Sequence, residues 1–285
     1  MKRSSRTSTP STATLRGHDE NFPLLFTLLE RAQRRDLATI YGFCRSTDDL
    51  GDESPGDRLA HLEQWGEALD AALAGHDPGE PFLVALADVV RRRNLDAELF
   101  RQLIEANRMD QRQRRWATEA DVFAYCAHSA MPVGRMVLGV LGEHDERLGR
   151  LSDATCTGLQ LVNFWQDVRR DLDERNRIYI PAEHLAQFGV AEEDLCEPVA
   201  SPAVRSLIAF EIARTRRLFQ IGAPLAGLVS GRARPDIAMF TAAGEALCDQ
   251  IARAQFDTLR ARPRPGNLGR ARIVLGVARH LIRPR

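Results

Sequence analysis

The chain has 285 residues, 44% hydrophobic and 27% charged, which is the make-up of an ordinary globular protein. That length is long for a single core but within reach of one, and two domains are the competing layout. Lys plus Arg and Asp plus Glu balance at 39 each, which removes the overall basic footprint of a nucleic-acid binder, and no run of about 18 apolar residues offers a transmembrane helix.

Residues 1–17 are rich in Ser, Thr and Arg and hold no acid. A disordered tail over 1–18 is the expectation; the same composition also fits an organelle transit peptide, but the apolar core of a secretory signal is missing. Lys2 is the only lysine, so the positive charge is almost all arginine. A GC-rich genome accounts for that bias, and arginine also suits bidentate phosphate binding.

From residue 36 to 53, Leu37, Ile40, Tyr41 and Cys44 form a helical apolar stripe. At the same spacing the stripe runs on into Arg45, Asp48 and Asp52, while Asp49 and Glu53 make a second i, i+4 pair about 100° round the helix. Carboxylates that extend a core-facing stripe are costly unless something compensates them, and acids in a last turn oppose the helix dipole. Leu59, Leu62, Trp65, Leu69, Ala72 and Leu73 form the next stripe, and Val122, Tyr125, Cys126 and Ser129 begin another. Pro132 then interrupts the helical pattern, which predicts a kink that either frees backbone groups toward a cavity or simply bends round the core.

A second acidic helix spans residues 159–173. Leu159, Leu161, Val162, Phe164, Trp165, Val168 and Leu172 cover most of its circumference, which predicts burial. Gln160, Asn163, Asp167 and Asp171 form one narrow polar line along it, read as facing an internal polar cavity. In each helix an i, i+4 aspartate pair sets two carboxylates about 6 Å apart on one face. Two such clusters point to a shared partner, most simply divalent cations and the anion they bind. Oxygen-only ligands suit Mg²⁺, which is commonly held by one or two carboxylates plus substrate phosphate oxygens. Arg45, Arg170 and Arg177 supply candidate charge-assisted hydrogen bonds to the same oxygens. Without a phosphate between them, the two acidic faces are expected to repel each other across a dry cavity.

Leu207, Ile208, Phe210, Ile212 and Leu218 belong to a later helix. Residues 261–285 carry Arg262, Arg264, Arg270, Arg272, Arg279, Arg283 and Arg285 beside Leu268, Ile273, Val274, Val277 and Leu281. This segment is read either as a last helix packed on the domain or as an amphipathic element for anionic lipid. The five cysteines, Cys44, Cys126, Cys156, Cys196 and Cys248, show no zinc or C-x-x-C spacing and are expected as free, mostly buried thiols of a reducing cytosol. In all, the periodicity predicts about eight to ten helices, no sheet of consequence and one all-α domain.

Three motifs in order carry a resemblance. Tyr41-Gly42-Phe43-Cys44-Arg45-Ser46-Thr47-Asp48-Asp49-Leu50-Gly51-Asp52-Glu53 comes first. Tyr125-Cys126-Ala127-His128-Ser129-Ala130-Met131-Pro132-Val133-Gly134-Arg135 follows. Gln160-Leu161-Val162-Asn163-Phe164-Trp165-Gln166-Asp167, with Asp171 and Arg177-Ile178-Tyr179-Ile180-Pro181, is the third. Together they resemble the squalene/phytoene synthase family over roughly residues 20–195. Glu20-Asn21-Phe22-Pro23, with Arg114 and Trp116, is most like its hydroxysqualene synthase branch in bacterial hopanoid synthesis.

The resemblance implies an isoprenoid-synthase-type helical bundle around a central cavity over residues 19–285. It implies Mg²⁺, about two or three ions held with the substrate diphosphate. Asp48, Asp52, Asn163 and Asp167 would be ligands, with Asp171 in support and Asp49 beside them. Tyr41, Arg45, Gln160, Asn163, Arg170, Arg177 and Tyr179 would meet substrate, and Asp48, Asp52, Asp167, Asp171, Arg45 and Tyr41 would carry the catalysis. The implied reaction takes presqualene diphosphate to hydroxysqualene and diphosphate without NADPH, between earlier and later enzymes of the hopanoid pathway. The alternatives are head-to-head condensation of two prenyl diphosphates to presqualene diphosphate, squalene or phytoene, and, remotely, a non-catalytic helical assembly factor. Phe22, Phe26, Phe43, Phe164 and Trp165 are candidate walls for a carbocation cavity, with core packing as the plainer explanation of each. A cytoplasmic location with peripheral membrane contact suits such hydrocarbon chains. Asn176 stands where the family commonly has glycine, and Asn tolerates the left-handed conformation. Beyond about residue 200 no family motif is matched.

Overall fold

The computed structural model describes residues 29–229 and 231–263. Phe22, Phe26, the N-terminal tail and the segment from 264 onward lie outside them. In the described residues every regular element is helical, the one β feature being an isolated bridge between Arg115 and Ile178. The all-α expectation holds.

The first half of the bundle contains α1 (Arg31–Asp52), α2 (Arg58–Leu73), α3 (Pro81–Arg93) and α4 (Glu98–Arg112). Their ends follow local chemistry. Asp57 caps α2 by accepting from the Ala60 N–H at 3.1 Å. Asn94 closes α3 in the left-handed region at φ 49°, which Asn adopts more readily than most residues. Phe43, Leu62, Leu69, Leu83, Leu86 and Phe100 are fully buried between these helices. Leu59, assigned to the α2 stripe, is 36% exposed at the helix start.

Two further helices, α5 (Glu119–Ser129) and α6 (Met131–Leu141), are separated by Ala130, because Pro132 stands in the first turn of α6 and cannot continue the preceding helix. Thr118 and Asp121 cap α5 reciprocally. Then come α7 (Glu146–Gln166), α8 (Val168–Arg175) and α9 (Ala182–Gln187). The sequence read residues 159–173 as one helix, but a bend at Asp167 (φ −104°, ψ 13°) divides α7 from α8. The hydrogen-bond ladder still runs through it: the Asp167 N–H donates to the Asn163 carbonyl at 2.9 Å, and the Asp171 N–H to the Asp167 carbonyl at 2.8 Å. Such splits, together with short elements, raise the number of α-helices among the described residues to twelve. The last are α10 (Pro202–Gly222), α11 (Leu225–Leu228) and α12 (Arg234–Arg253).

Helix α7 is the hub, packing on α5, α6, α10, α11 and α12. Close approach is achieved through glycine notches: the buried Phe219 ring of α10 fits against Gly158 of α7 and Gly244 of α12, where added Cβ atoms would stand 2.9 and 2.2 Å from it. One apolar cluster fills the space among α1–α4, α6 and the start of α12, and a second fills the space among α5, α7, α10 and the end of α12. Phe43, Phe164 and Trp165 all belong to these packed clusters. Phe43 stacks on Trp65 at 5.8 Å, Phe164 on Tyr179 at 3.8 Å, and the Trp165 indole N–H donates to Thr215 Oγ1 at 2.9 Å. The cysteines are all free, but only Cys126 and Cys248 are buried and Cys196 is exposed.

Candidate active site

The last turn of α1 holds Asp48, Asp49 and Asp52 and has no basic residue of its own. Its compensation arrives from elsewhere. Gly51 lets α4 come close, since a Cβ there would stand 2.2 Å from Asn107 Oδ1. Asn107 then donates its amide to Asp48 Oδ1 at 3.1 Å, and Gln111 donates to the Gly51 carbonyl at 2.9 Å. Arg45 lies 2.7 Å from Asp49 and donates to Glu53 at 3.0 Å. Tyr41 is half-buried one turn earlier.

The second cluster comes from the α7–α8 bend. Gln160 and Asn163 are half-buried on α7, followed by Asp167 at the bend and Asp171 on α8. Arg175 joins the two clusters, with Nε 3.3 Å from Asp52 and Nη1 3.8 Å from Asp171. Arg177 donates to Asp52 Oδ1 at 3.0 Å and is itself buried. The chain is turned to deliver it by Asn176 at φ 53°, the left-handed conformation expected where the family commonly has glycine. Arg170 is turned to Glu174 at 3.0 Å.

The two acidic faces thus meet through arginines instead of repelling each other. Burial, and then the neighbouring Asp167 charge, push the Asp171 carboxyl up to about 7 against the pull of Arg175, Arg177 and Arg170.

Besides Arg175 and Asn107, two participants have no place in the motifs. Asp110 of α4 is buried beneath Arg177, 3.5 Å from its Nη1, and accepts from the Tyr125 hydroxyl at 2.8 Å and the Tyr179 hydroxyl at 3.0 Å. Tyr179, expected to face substrate, therefore gives its hydroxyl to this carboxylate. Burial raises Asp110 to about 6, with Arg177 and the two hydroxyls opposing the shift. Burial lowers the Arg177 pKa, but the charges of Asp110, Tyr179 and Asp52 outweigh it, so Arg177 stays above its ordinary value. The sequence did carry a signal for Asp110: it extends the buried stripe Leu103, Ala106 at helical spacing, as Asp48 extends Tyr41 and Cys44. The second participant is Arg262, at the start of the segment read either as a packed last helix or as a lipid-facing element; it makes a two-pronged ion pair with Asp167, its Nη2 at 2.8 Å from Oδ2. No motif marks it.

Among the described residues no three His, Cys, Asp or Glu side chains are already gathered round one point as a metal cage. The donor set nevertheless fits Mg²⁺: it is all oxygen, it comes from two sides, and that ion needs only one or two carboxylates when phosphate oxygens complete its shell.

Carboxylates and arginines from α1, α8 and the turn after it are thus collected into one cluster of an all-α fold. The squalene/phytoene synthase family model matches residues 15–269. The hydroxysqualene synthase of Rhodopseudomonas palustris is 35% identical over 208 residues, 73% of this chain and 70% of the relative. The 15-cis-phytoene synthase of Synechococcus elongatus is 34% identical over 206 residues, covering 68% and 67%. The crystal structure of squalene synthase HpnC from Alicyclobacillus acidocaldarius superposes with a TM-score of 0.80 at 42% identity, over 86% of this chain and 92% of that one. The chain belongs to the squalene/phytoene synthase family. It is accordingly an enzyme that processes isoprenoid diphosphates. No helix among the described residues is long and apolar enough to cross a membrane.

Proposed function

We propose that this enzyme converts presqualene diphosphate to hydroxysqualene with release of diphosphate, in the presence of Mg²⁺ and without a nicotinamide reductant. The observation that carries the proposal is the meeting of Asp52 and Asp171 on the single guanidinium of Arg175. Hydroxysqualene synthases among the relatives, and the 42% identity to the squalene synthase HpnC structure, support the choice of substrate.

Asp48 and Asp52 from one side, with Asn163, Asp167 and Asp171 from the other, would hold the Mg²⁺ ions, which when bound supply charge neutralisation to the departing diphosphate. Arg45, Arg175 and Arg177 offer charge-assisted hydrogen bonds to its oxygens. Heterolysis of the carbon–oxygen bond sends the electron pair out with diphosphate and leaves a cyclopropylcarbinyl cation. Ring opening and rearrangement join the farnesyl halves 1–1′. Water adds to the resulting allylic cation and loses one proton, giving the alcohol. Tyr41 and Gln160 are assigned to positioning the substrate. We place the enzyme in the cytoplasm, with peripheral membrane contact through its hydrocarbon substrate and product.

Condensation of two prenyl diphosphates is the second reading, favoured by the 34% identity to a phytoene synthase, and it would use the same carboxylates. Replacing Asp48 or Asp167 by Asn is expected to lower Mg²⁺-dependent turnover of presqualene diphosphate by about 100-fold or more. Near-normal turnover in both variants would overturn the metal assignment.

A further inference from the structure

A second concave site lies behind the aspartate line of α7. Leu161 and Trp165 are each two residues from Asn163, about 160° round the helix, so they face the other way. With Val122 and Phe123 of α5 and Leu218 of α10 they wall a cavity of 160 Å³. That volume is enough for about one benzene-sized body, and five ionisable side chains share the lining with the apolar ones. The indole of Trp165 is held in place by its bond to Thr215, so the apolar wall is fixed.

The charges on the same lining are not equally engaged. His184 Nδ1 and Glu211 Oε1 lie 2.5 Å apart and are buried, and the other Glu211 oxygen, Oε2, lies 3.9 Å from Arg214 Nε. Arg214 pairs with Glu119 and lies over the Phe210 ring at 5.1 Å. Arg217, one turn further on and exposed, has no carboxylate partner among the described residues. Burial, and then the charge of Arg217, push Arg214 below the ordinary arginine range. An anionic head at the cavity rim would give Arg217 the partner it lacks, whereas a neutral hydrocarbon would not. Glu119 and Glu211 at the same site disfavour more than one negative charge.

We infer that this cavity binds a small organic monoanion, its apolar body of about six carbons against Trp165, Leu161 and Phe123 and its oxyanion head at Arg214 and Arg217. The site is separate from the diphosphate site, and its readout does not involve turnover.

The test is titration calorimetry on the full chain with hexanoate, 1-hexanol and hexyl phosphate, paired with quenching of tryptophan emission by 6-bromohexanoate, whose heavy atom must reach Trp165. Hexanoate is expected to saturate with a dissociation constant of about 1 mM or below. Hexanol and the doubly charged phosphate ester should each bind about tenfold more weakly or worse. Arg217→Glu should weaken hexanoate by at least about tenfold and abolish saturable quenching. Arg217→Gln gives the same comparison should the reversed charge disturb folding. Equal binding of hexanol, retention of hexanoate affinity in the Arg217 variants, or no saturation below about 20 mM would each overturn the inference.

Discussion

Asp110 carries more of the site's order than its position in the sequence announces. Two tyrosine hydroxyls and Arg177 converge on it, so it fixes the residue that reaches Asp52. Asp110→Asn keeps the shape and leaves Arg177 paired with Asp52, but its single amide oxygen cannot accept from both tyrosine hydroxyls, so one is left buried without an acceptor. The expected cost is about 1–3 kcal/mol of stability, read as a lower urea midpoint with an unchanged slope; a wild-type midpoint would contradict the role. Asp236 is the opposite case, a buried carboxyl with Oδ2 unpartnered in the described residues, raised to about 6 by burial alone. Its unfolded value is about 3.9. Between those values the folded state keeps a proton that the unfolded state has released, so stability falls as pH rises through the window and the penalty is complete above it. The stability of Asp236→Asn relative to wild type should therefore grow from pH 4 to pH 7, and a constant difference would refute this. At this scale, the aspartates of both motifs were legible because they extend or line apolar helical faces. Asp110 obeyed the same rule in a shorter stripe. Arg262 could not be read at all, because its contact with Asp167 spans 95 residues and depends on how α12 ends.

Helices were legible where chemistry punctuates them. Pro132 announced the division of α5 from α6, and Asn176 announced the left-handed turn that presents Arg177. The bend at Asp167 has no proline or glycine to signal it. It accompanies tertiary ties on both neighbouring side chains: Asp167 to Arg262, and Gln166 to the Pro263 carbonyl. The approach of α1 to α4 depends on Gly51, whose missing Cβ makes room for Asn107 beside Asp48. Gly51→Ala should force Asn107 away and cost about 1–2 kcal/mol, measured as a fall in the thermal midpoint. An unchanged midpoint would mean that the two helices are free to separate there.

For the molecule as a whole, helical periodicity was enough to define an all-α fold, since a strand has period two and none of useful length appears. The division of the core into two apolar clusters round α7 was not legible, because it is set by glycine notches such as Gly158 and Gly244 meeting Phe219 from different helices. The sequence motifs anticipated that distant acidic stretches would come together, but charge balance alone suggested repulsion; Arg175 and Arg177 supply the missing cations. Function then rests on what that shared cluster does with a diphosphate. The most direct test is mass spectrometry of the products formed by the purified chain from presqualene diphosphate and Mg²⁺, with no reductant present. Hydroxysqualene and diphosphate in equal amounts are the predicted result. Recovery of unreacted presqualene diphosphate, beside efficient condensation of two farnesyl or geranylgeranyl diphosphates, would contradict it.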